Sequence, residues 1–440
     1  MKRAKRVFFA GGFFALIIIS WVLVLDAKSA GEKQAELISR AEEYMKDGIY
    51  ILAAPILEEA AEYNSAYTPK AETKLKEVYR QLINQSGYRR KYIDLLEKQM
   101  GRKNALPEVF LEAARFFLKN SKFNDAFETL KTGIDKTGKP ELIDLYERSR
   151  YIYKTGYDVY ENVTEIFDAA IGVSIDGRWG VAGSDGKAFI PCEYEKVSVF
   201  AAGRAIVKKD GAIFAVDRSN NRVALLKEAE VLDFGGYSEG RVALLFDAGW
   251  RRATGDFELG SAVFEQIGAY RDGYAAAKQG GKWGVVDKSG SPSWLIPAQY
   301  DGIIMDGLGR AYGQSAVFVR DGDAVYMIAG NARAGGPYED AEPFGAEGYA
   351  AVKKNGLWGF IDNSGELKIE YKFEDALSFG QHLAAVKDGE FWGYINLYGN
   401  IVIEPVFLQA KSFGNGSAPV LTERGWRFIS LIEYMKGAGL

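Results

Sequence analysis

The sequence predicts an α + β protein whose helices and strands lie in separate domains. Three observations predict this class. An uncharged apolar run at residues 7–25 follows a basic tail, residues 1–6. Residues 30–155 have helical periodicity, and residues 157–432 repeat one phrase at an interval of about 34 residues. We therefore expect a transmembrane helix, an α-helical domain and an all-β repeat array, with residues 433–440 as a tail.

The apolar run is long enough to act as a membrane anchor. At about 1.5 Å per residue, residues 7–25 nearly span a hydrocarbon core of about 30 Å. The run exceeds the roughly 7–15 apolar residues of a cleaved signal peptide, so it favours an uncleaved signal anchor. A signal peptide cleaved near Ala27-Lys28-Ser29 is the alternative. By the positive-inside rule, the basic tail stays in the cytoplasm, and the later domains are extracytoplasmic on the cell membrane.

The segment 30–155 is predicted to form three helix hairpins and a final helix over residues 140–154. It breaks at three points: Asp47-Gly48, Ser86-Gly87 and Asn120-Ser121. The spacing of small and aromatic residues resembles that of the tetratricopeptide family: Ala114, Phe117, Phe123, Ala126, Leu130 and Gly133. The resemblance implies helix pairs with a binding groove. A plain helical bundle or stalk is the alternative.

Each β unit is predicted to contain three or four short strands. A hairpin ending in Asn-Gly or Asp-Gly leads into a Trp-Gly pair, and an Asp-x-x-Gly turn follows, as in residues 362–365. We interpret the acids that recur with this period as turn caps: Glu195, Asp301, Glu339, Glu374, Asp217, Asp287 and Asp362.

Four Trp-Gly pairs stand in register: Trp179-Gly180, Trp283-Gly284, Trp358-Gly359 and Trp392-Gly393. Degraded copies surround Ile213, Trp250 and Val325. The pattern resembles the WG-repeat family of bacterial and eukaryotic proteins, which implies β-rich repeats for interaction and no catalytic residues. We expect the Trp to pack between units and the Gly to admit a nearby backbone. Stacking of the Trp rings on sugars is the alternative.

The phase of the array predicts its overall form. Eight units fit between Tyr157 and Ile432, and the array opens on the second half of a unit and closes on the first half. If these halves pair, one sheet is completed and no open edge remains. The sequence thus predicts a closed, β-propeller-like ring of about eight blades, with an open β-solenoid as the alternative.

Composition gives little indication of catalysis. The 55 basic and 59 acidic side chains leave a net charge of −4, which argues against nucleic-acid binding. His382 is the single histidine and Cys192 the single cysteine, so a disulfide and a His/Cys zinc site are excluded. We expect a loop role for His382 and a mobile loop at residues 330–336. The sequence predicts no catalytic residue, no cofactor and no metal.

These features favour a non-enzymatic, membrane-anchored scaffold for a protein or peptide partner. Binding of cell-wall glycans is the alternative, with Trp250 and Trp294, which we place off the regular positions, as stacking candidates. A carboxylate-based hydrolase is a third hypothesis.

Overall fold

The computed structural model describes residues 30–225, 231–289 and 292–437. The predicted cytoplasmic tail and transmembrane segment, residues 1–6 and 7–25, lie outside these ranges. Within the described ranges, no helix has the length and apolar character needed to cross a membrane. The chain divides into two compact units, the first ending at Tyr146 and the second beginning at Glu147.

The predicted N-terminal helical region is confirmed. Its helices are α1 (30–46), α2 (Tyr50–Glu62), α3 (Thr68–Gln81), α4 (Tyr88–Met100), α5 (Pro107–Lys119), α6 (Phe123–Thr137) and α7 (Pro140–Ser149). Small residues let neighbouring helices approach closely. A Cβ on Gly133 of α6 would lie 2.8 Å from the Cβ of Phe110 on α5, so only glycine fits there. Helix α7 is shorter than predicted, because residues 153–155 form a strand.

The second unit is an eight-bladed propeller, and each blade is a four-stranded antiparallel sheet. Blade 1 contains β2 (Asn162–Val163), β3 (Ala170–Ile175), β4 (Arg178–Gly183) and β5 (Ala188–Tyr194). Blade 2 contains β6 (Lys196–Val197), β7 (Arg204–Lys209), β8 (Ala212–Asp217) and β9 (Arg222–Leu225). Blade 3 contains β10 (Asp233–Ser238), β11 (Arg241–Phe246), β12 (Gly249–Thr254) and β13 (Leu259–Phe264). Blade 4 contains β14 (Gln266–Ile267), β15 (Tyr274–Gln279), β16 (Lys282–Asp287) and β17 (Trp294–Tyr300).

The remaining blades follow the same plan. Blade 5 contains β18 (Gly302–Ile303), β19 (Ala316–Asp321), β20 (Ala324–Ala329) and β21 (Ala332–Tyr338). Blade 6 contains β22 (Asp340–Ala341), β23 (Tyr349–Lys354), β24 (Leu357–Asp362) and β25 (Leu367–Phe373). Blade 7 contains β26 (Asp375–Ala376), β27 (Leu383–Asp388), β28 (Phe391–Asn396) and β29 (Ile401–Phe407). Blade 8 contains β30 (Gln409–Ala410), β31 (Ser417–Thr422), β32 (Gly425–Leu431) and, as its fourth strand, β1 (Tyr153–Thr155). A short helix, α8 (Ile432–Gly437), ends the described chain.

The first strand of each blade lies nearest the ring axis. Segments that follow this strand in blades 1, 4, 5, 6, 7 and 8 line one common cavity, which only the centre of a ring allows. The last strand of each blade is therefore the outer one. Apolar side chains of neighbouring sheets pack together between the blades, as where Phe318 of blade 5 stacks on Phe344 of blade 6.

The ring closes through pairing of its two ends. Strand β1 pairs with β32, with Tyr153 opposite Leu431 and Thr155 opposite Ile429. Tyr160 and Trp426 then exchange two backbone hydrogen bonds of 2.9 Å. The closed eight-bladed form is confirmed, and the solenoid alternative is wrong. The closing strand begins upstream of the point where the repeat pattern becomes visible in the sequence.

One predicted loop is a strand. Residues 330–336 were expected to form a mobile connection because they are rich in glycine. Most of them instead belong to β21, the outer strand of blade 5, which pairs with β20 at Val325–Tyr338 and Ala329–Ala332. Glycine content was a poor guide here, because one of these glycines, Gly336, serves a packing need described below.

We predict that removal of residues 424–440 from the full-length chain destabilises the entire propeller. The truncation deletes β32, which joins β31 to β1, so blade 8 loses its centre and the ring opens. Thermal unfolding followed by near-ultraviolet circular dichroism should show a propeller transition that is strongly lowered or absent. A truncated chain that melts at the temperature of the intact chain would contradict closure through blade 8.

Candidate binding sites

The four Trp-Gly pairs occupy equivalent positions in blades 1, 4, 6 and 7. Each Trp lies opposite an aromatic residue of the outer strand: Trp179 opposite Tyr194, Trp283 opposite Tyr300, Trp358 opposite Phe373 and Trp392 opposite Phe407. Trp358 and Trp392 are only 6% and 7% exposed, and Trp179 and Trp283 are half-buried. These rings contribute cross-strand and interblade packing, and little of their surface faces solvent.

The glycine of each pair lies under a bulge in the outer strand. The register of the outer strand shifts immediately after its pairing with the Trp, and its backbone then passes directly over the Gly. A Cβ on any of the four glycines would come within 3.0 Å of a carbonyl oxygen, that of Ile190, Ile296, Ile369 or Ile403. Real Cβ atoms essentially never approach so closely, so the glycine is a steric requirement of the bulge.

Blades without the pair satisfy the same contact differently. In blade 5, Tyr326 takes the place of the Gly, and the outer strand carries Gly336 instead. A Cβ on Gly336 would lie 2.7 Å from the carbonyl oxygen of Val325. In blade 3, Arg251 takes the place of the Gly and pairs directly with Val263, so the register shift moves to the next residues. In these two blades, the outer strand supplies the glycine or the bulge moves.

The two predicted stacking residues differ in position. Trp250 lies opposite Leu245 and Phe264, as Trp283 lies opposite Lys278 and Tyr300 in blade 4. Trp250 therefore holds the regular Trp position of blade 3, where we had placed it off the pattern, and it is half-buried. Trp294 stands at the start of β17, is 36% exposed, and packs edge-to-face at 6.4 Å from Phe264.

Six of the seven acids predicted as turn caps, all but Glu195, hold turns. In five blades an acid just before the inner strand accepts a hydrogen bond from a backbone N–H in the turn of the central hairpin. The pairs are Glu161 with Gly177, Glu265 with Gly281, Asp301 with Gly322, Glu339 with Gly356 and Glu374 with Gly389. The Asp residues after the third strand bind N–H groups of their own turns: Asp217, Asp287 and Asp362. Their carboxylates are thus already bound to backbone N–H groups of the turns.

The single histidine and cysteine lie apart from any cluster of ligands. His382 is exposed in a turn before β27, and its backbone N–H donates to Glu347 at 2.8 Å. Cys192 is half-buried beside the bulge of blade 1, and burial raises the pKa of its thiol. In the part of the chain that the structure describes, no group of three His, Cys, Asp or Glu side chains is placed to hold a metal ion.

The helical unit contains an open groove of about 680 Å³ between α3, α4 and α5, here called the helical groove. Its walls carry four cations, two amides, two acids and four partly apolar side chains: Arg80, Arg89, Arg115, Lys119, Asn84, Asn120, Glu108, Glu112, Ile83, Tyr92, Leu111 and Phe116. Glu112 is already engaged, because it binds Lys76 at 2.8 Å, the Tyr92 hydroxyl at 2.7 Å and Arg80. The groove therefore has an excess of positive charge beside an apolar floor.

The propeller contains a central cavity of about 380 Å³ on the ring axis. Three acids and three bases line it, and most of them are paired. Lys411 binds Glu165 at 2.9 Å, and Arg310 binds Asp306 at 2.7 Å. Arg271 donates to the carbonyl oxygen of Phe344 at 2.6 Å. The sixth charged group, the carboxyl of Glu342, has no hydrogen-bond or ion-pair partner among the residues that the structure describes.

A six-residue insertion in blade 5, residues 305–310, forms one wall of the central cavity. The connection between the first two strands is six residues long in blade 4 and twelve in blade 5. The insertion is a turn held by Asp306, whose carboxylate accepts the N–H groups of Leu308 and Arg310 at 2.9 Å.

The insertion crosses the ring. A Cβ on Gly307 would lie 3.1 Å from the Cγ of Glu165 in blade 1, and Gly309 accepts the N–H of Ala269 in blade 4 at 2.8 Å. Sequence reasoning missed this segment. The interval from Gly281 to Gly322 is seven residues longer than that from Gly322 to Gly356, and this excess was the available signal.

A family model described as "WG containing repeat" matches five segments of the chain: 179–211, 261–283, 338–358, 358–390 and 392–426. The C-terminal region is built of WG repeats. The matched segments leave out residues 213–214 of blade 2 and 325–326 of blade 5, where Ile213-Phe214 and Val325-Tyr326 stand in place of a Trp-Gly pair. No curated protein matches the chain in sequence.

Several solved structures are similar to this chain. PorZ of Porphyromonas gingivalis, a surface component of the type-IX secretion system, is 12% identical, with a TM-score of 0.33, and the match covers 61% of this chain and 42% of PorZ. Apo AztD of Citrobacter koseri is 11% identical, with a TM-score of 0.36, and the match covers 61% of this chain and 89% of AztD. The Pan2 WD40 domain of Neurospora crassa is 8% identical, with a TM-score of 0.33 and coverages of 61% and 88%.

We predict that Gly284→Ala destabilises the propeller by about 1–3 kcal/mol, because the added methyl group meets the backbone of Ile296 and Pro297. Urea unfolding of the full-length chain measures the loss. Gly260→Ala is the matched control, since its Cβ would lie at an ordinary 3.4 Å from the nearest atom, the carbonyl oxygen of Arg252. Equal stability of the two variants would show that the bulge does not require the glycine.

Proposed function

We propose that this protein is a non-enzymatic interaction scaffold that binds an extended, acidic segment of a partner protein in its helical groove. The observation that carries the proposal is the groove itself, which is open, is lined by side chains of three helices, and has more basic than acidic side chains. The WG-repeat propeller supports the same reading, because repeat folds recognise partners through extended surfaces rather than one reactive centre.

The chemistry of the groove favours carboxylates. Arg115 and Lys119 lie one turn apart on α5, and within the described helices neither has a carboxylate partner. Arg89, on the facing end of α4, is held by the side-chain oxygen of Asn120 at 3.1 Å, which orients its guanidinium group. Guanidinium groups bind carboxylates through two parallel hydrogen bonds, and Leu111 and Phe116 offer apolar contacts between them.

The propeller gives a second argument for a non-enzymatic role. Its recurrent carboxylates bind turns, and its Trp rings pack in the sheets. These residue types would otherwise be the first candidates for general acid–base chemistry or sugar stacking. We propose that the ring acts as a rigid platform for the binding surfaces.

We further propose that residues 7–25 anchor the protein in the cell membrane and that the helical unit and the propeller are extracytoplasmic. The support is the length and uncharged character of this run, together with the basic tail that precedes it. The partner would then be a protein of the cell envelope.

We predict that Arg89→Glu combined with Arg115→Glu weakens binding of an acidic peptide at least about tenfold, since two charge-assisted contacts are replaced by repulsion. Fluorescence anisotropy with a labelled nonapeptide of Leu and Glu measures the affinity. Binding to the wild-type protein should also weaken as salt is added, because the groove is open to solvent.

The matched control is Arg90→Glu, next to Arg89 on the same helix but outside the groove, where Arg90 pairs with Asp94 at 2.8 Å. It should bind the acidic peptide like the wild type. A peptide with Lys in place of Glu should not bind. Equal weakening by the control variant, or equal binding of the Lys peptide, would reject the groove as the site.

We predict that protease added to intact cells removes a C-terminal tag, since the propeller is proposed to lie outside the membrane. Immunoblotting for the tag measures the loss, and a lysed sample shows that the site is cleavable. If an outer membrane is present, it is permeabilised first. A tag that survives this treatment and is cleaved only after lysis would place the propeller in the cytoplasm.

A further inference from the structure

We propose that the central cavity of the propeller is a binding site for an alkylammonium group, with the carboxylate of Glu342 as its counter-ion. The proposal concerns a different surface from the helical groove and does not depend on it. It rests on the charge pairing, the local field and the shape of the cavity, which are taken in turn below.

Charge pairing leaves one acid of the cavity available. Glu165 and Asp306 are bound to Lys411 and Arg310, and the guanidinium group of Arg271 is turned to a backbone carbonyl. Arg271 is also packed on Gly313, whose Cβ would lie 2.9 Å from the guanidinium carbon. The Glu342 carboxyl borders the cavity without a partner among the described residues. It is the group that a ligand would engage.

Acidic side chains act on the Glu342 carboxyl. Burial raises the pKa of its carboxyl to about 8, and the charged groups that bear most on it are all acids: Glu165, Asp306, Asp340 and Asp375. Burial also raises the pKa of Asp375. Of the bases of the cavity, Lys411 and Arg310 are paired with Glu165 and Asp306, and Arg271 is turned to a backbone carbonyl. The ionised carboxylate of Glu342 would therefore attract a cation placed beside it.

The shape and chemistry of the cavity favour an amine over a metal ion. Among the described residues, no cluster supplies three metal-binding side chains, and the acids nearest Glu342 are held by bases or by backbone groups. The cavity of about 380 Å³ also has apolar walls, formed by Ile166, Met305, Pro343 and Leu377. A primary ammonium group on a short aliphatic stem matches both features. A free small amine and a lysine side chain of a partner share this chemistry.

The blade-5 insertion completes the site. Met305 supplies part of the apolar wall, and Asp306 contributes to the field at Glu342. A ring with the ordinary six-residue connection would lack both side chains. The insertion thus converts one point of a repeating ring into a distinct pocket, and its removal should remove the site.

Binding should release a proton near neutral pH. The folded protein holds the Glu342 carboxyl protonated below about pH 8, whereas the unfolded chain ionises it near 4.5. Between these values the folded state carries the extra proton, so its stability falls as pH rises. An ammonium ion keeps its own proton and binds the carboxylate, so one carboxyl proton leaves for each ligand bound. Well above pH 8 the carboxyl is already ionised, and no proton is released.

Titration calorimetry with n-butylammonium chloride on the full-length protein tests the proposal. At about pH 7, the heat should depend on the ionisation enthalpy of the buffer and give about one proton released per site, and at about pH 9.5 that dependence should vanish. Glu342→Gln should weaken binding roughly tenfold or more and abolish proton release. Deletion of residues 305–310 should weaken binding as well.

Glu370→Gln, an exposed position on the outer strand β25, is the matched control and should bind like the wild type. Thermal unfolding checks the fold of each variant, and Glu342→Gln should be at least as stable as the wild type at about pH 9.5, because it removes a buried charge. This readout separates loss of a ligand site from loss of the fold.

A second titration uses a blocked, lysine-containing tripeptide to distinguish the two sources of amine. Tighter binding of n-butylammonium indicates a free amine, and tighter binding of the tripeptide indicates a partner lysine. The proposal is overturned if neither probe binds, if Glu342→Gln binds as well as the wild type, or if calcium chloride binds instead with loss in Glu342→Gln.

Discussion

The propeller depends on one close approach, in which the backbone of the bulged outer strand lies directly on the glycine of the Trp-Gly pair in blades 1, 4, 6 and 7. The bulge brings the aromatic residue of the outer strand, such as Tyr194 or Tyr300, opposite the Trp. A side chain at the glycine would separate the two strands and lose this pairing, so the repeat signature records a steric constraint.

The exceptions show that the blades need a suitable contact between the two strands. The residue at the Gly position itself can vary. Blade 5 moves the glycine to the other strand, at Gly336, and blade 3 moves the bulge past Arg251. Blade 8 has Arg427 at this position, and its guanidinium group donates to the carbonyl oxygen of Gly156 in the segment that follows β1. Similar blades can therefore form from segments that no longer look alike in sequence.

This explains what the sequence could and could not predict. The blade number, the closed ring and the helical region followed from period and phase, because every unit needs the same turns and the same contact. The wrong or missed features concern single units. Residues 330–336 looked like a loop because glycine signals flexibility and close packing equally. Trp250 looked irregular because its neighbours Gly249 and Arg251 obscure the pattern.

The binding candidates were the least predictable features. The helical groove collects Arg89, Arg115 and Lys119 from two helices, and no local motif joins them. The central cavity collects side chains from six blades, and Glu342 stands at a position that is apolar in blade 7 and basic in blade 8. The residues that repeat in every blade build the scaffold, whereas a binding site forms where the blades differ in sequence. Only the spacing excess before Gly322 marked such a difference in the sequence.

The closure of blade 8 also constrains when the protein can fold. Strand β1 is made before the other thirty-one strands, and its partner β32 lies almost at the end of the described chain. During synthesis, blades 1 to 7 can form as they emerge, but β1 must wait for β32. Until then the ring has two unprotected edges, and such edges are prone to pair with other chains. The arrival of β32 therefore decides whether the preceding blades become a ring or an aggregate.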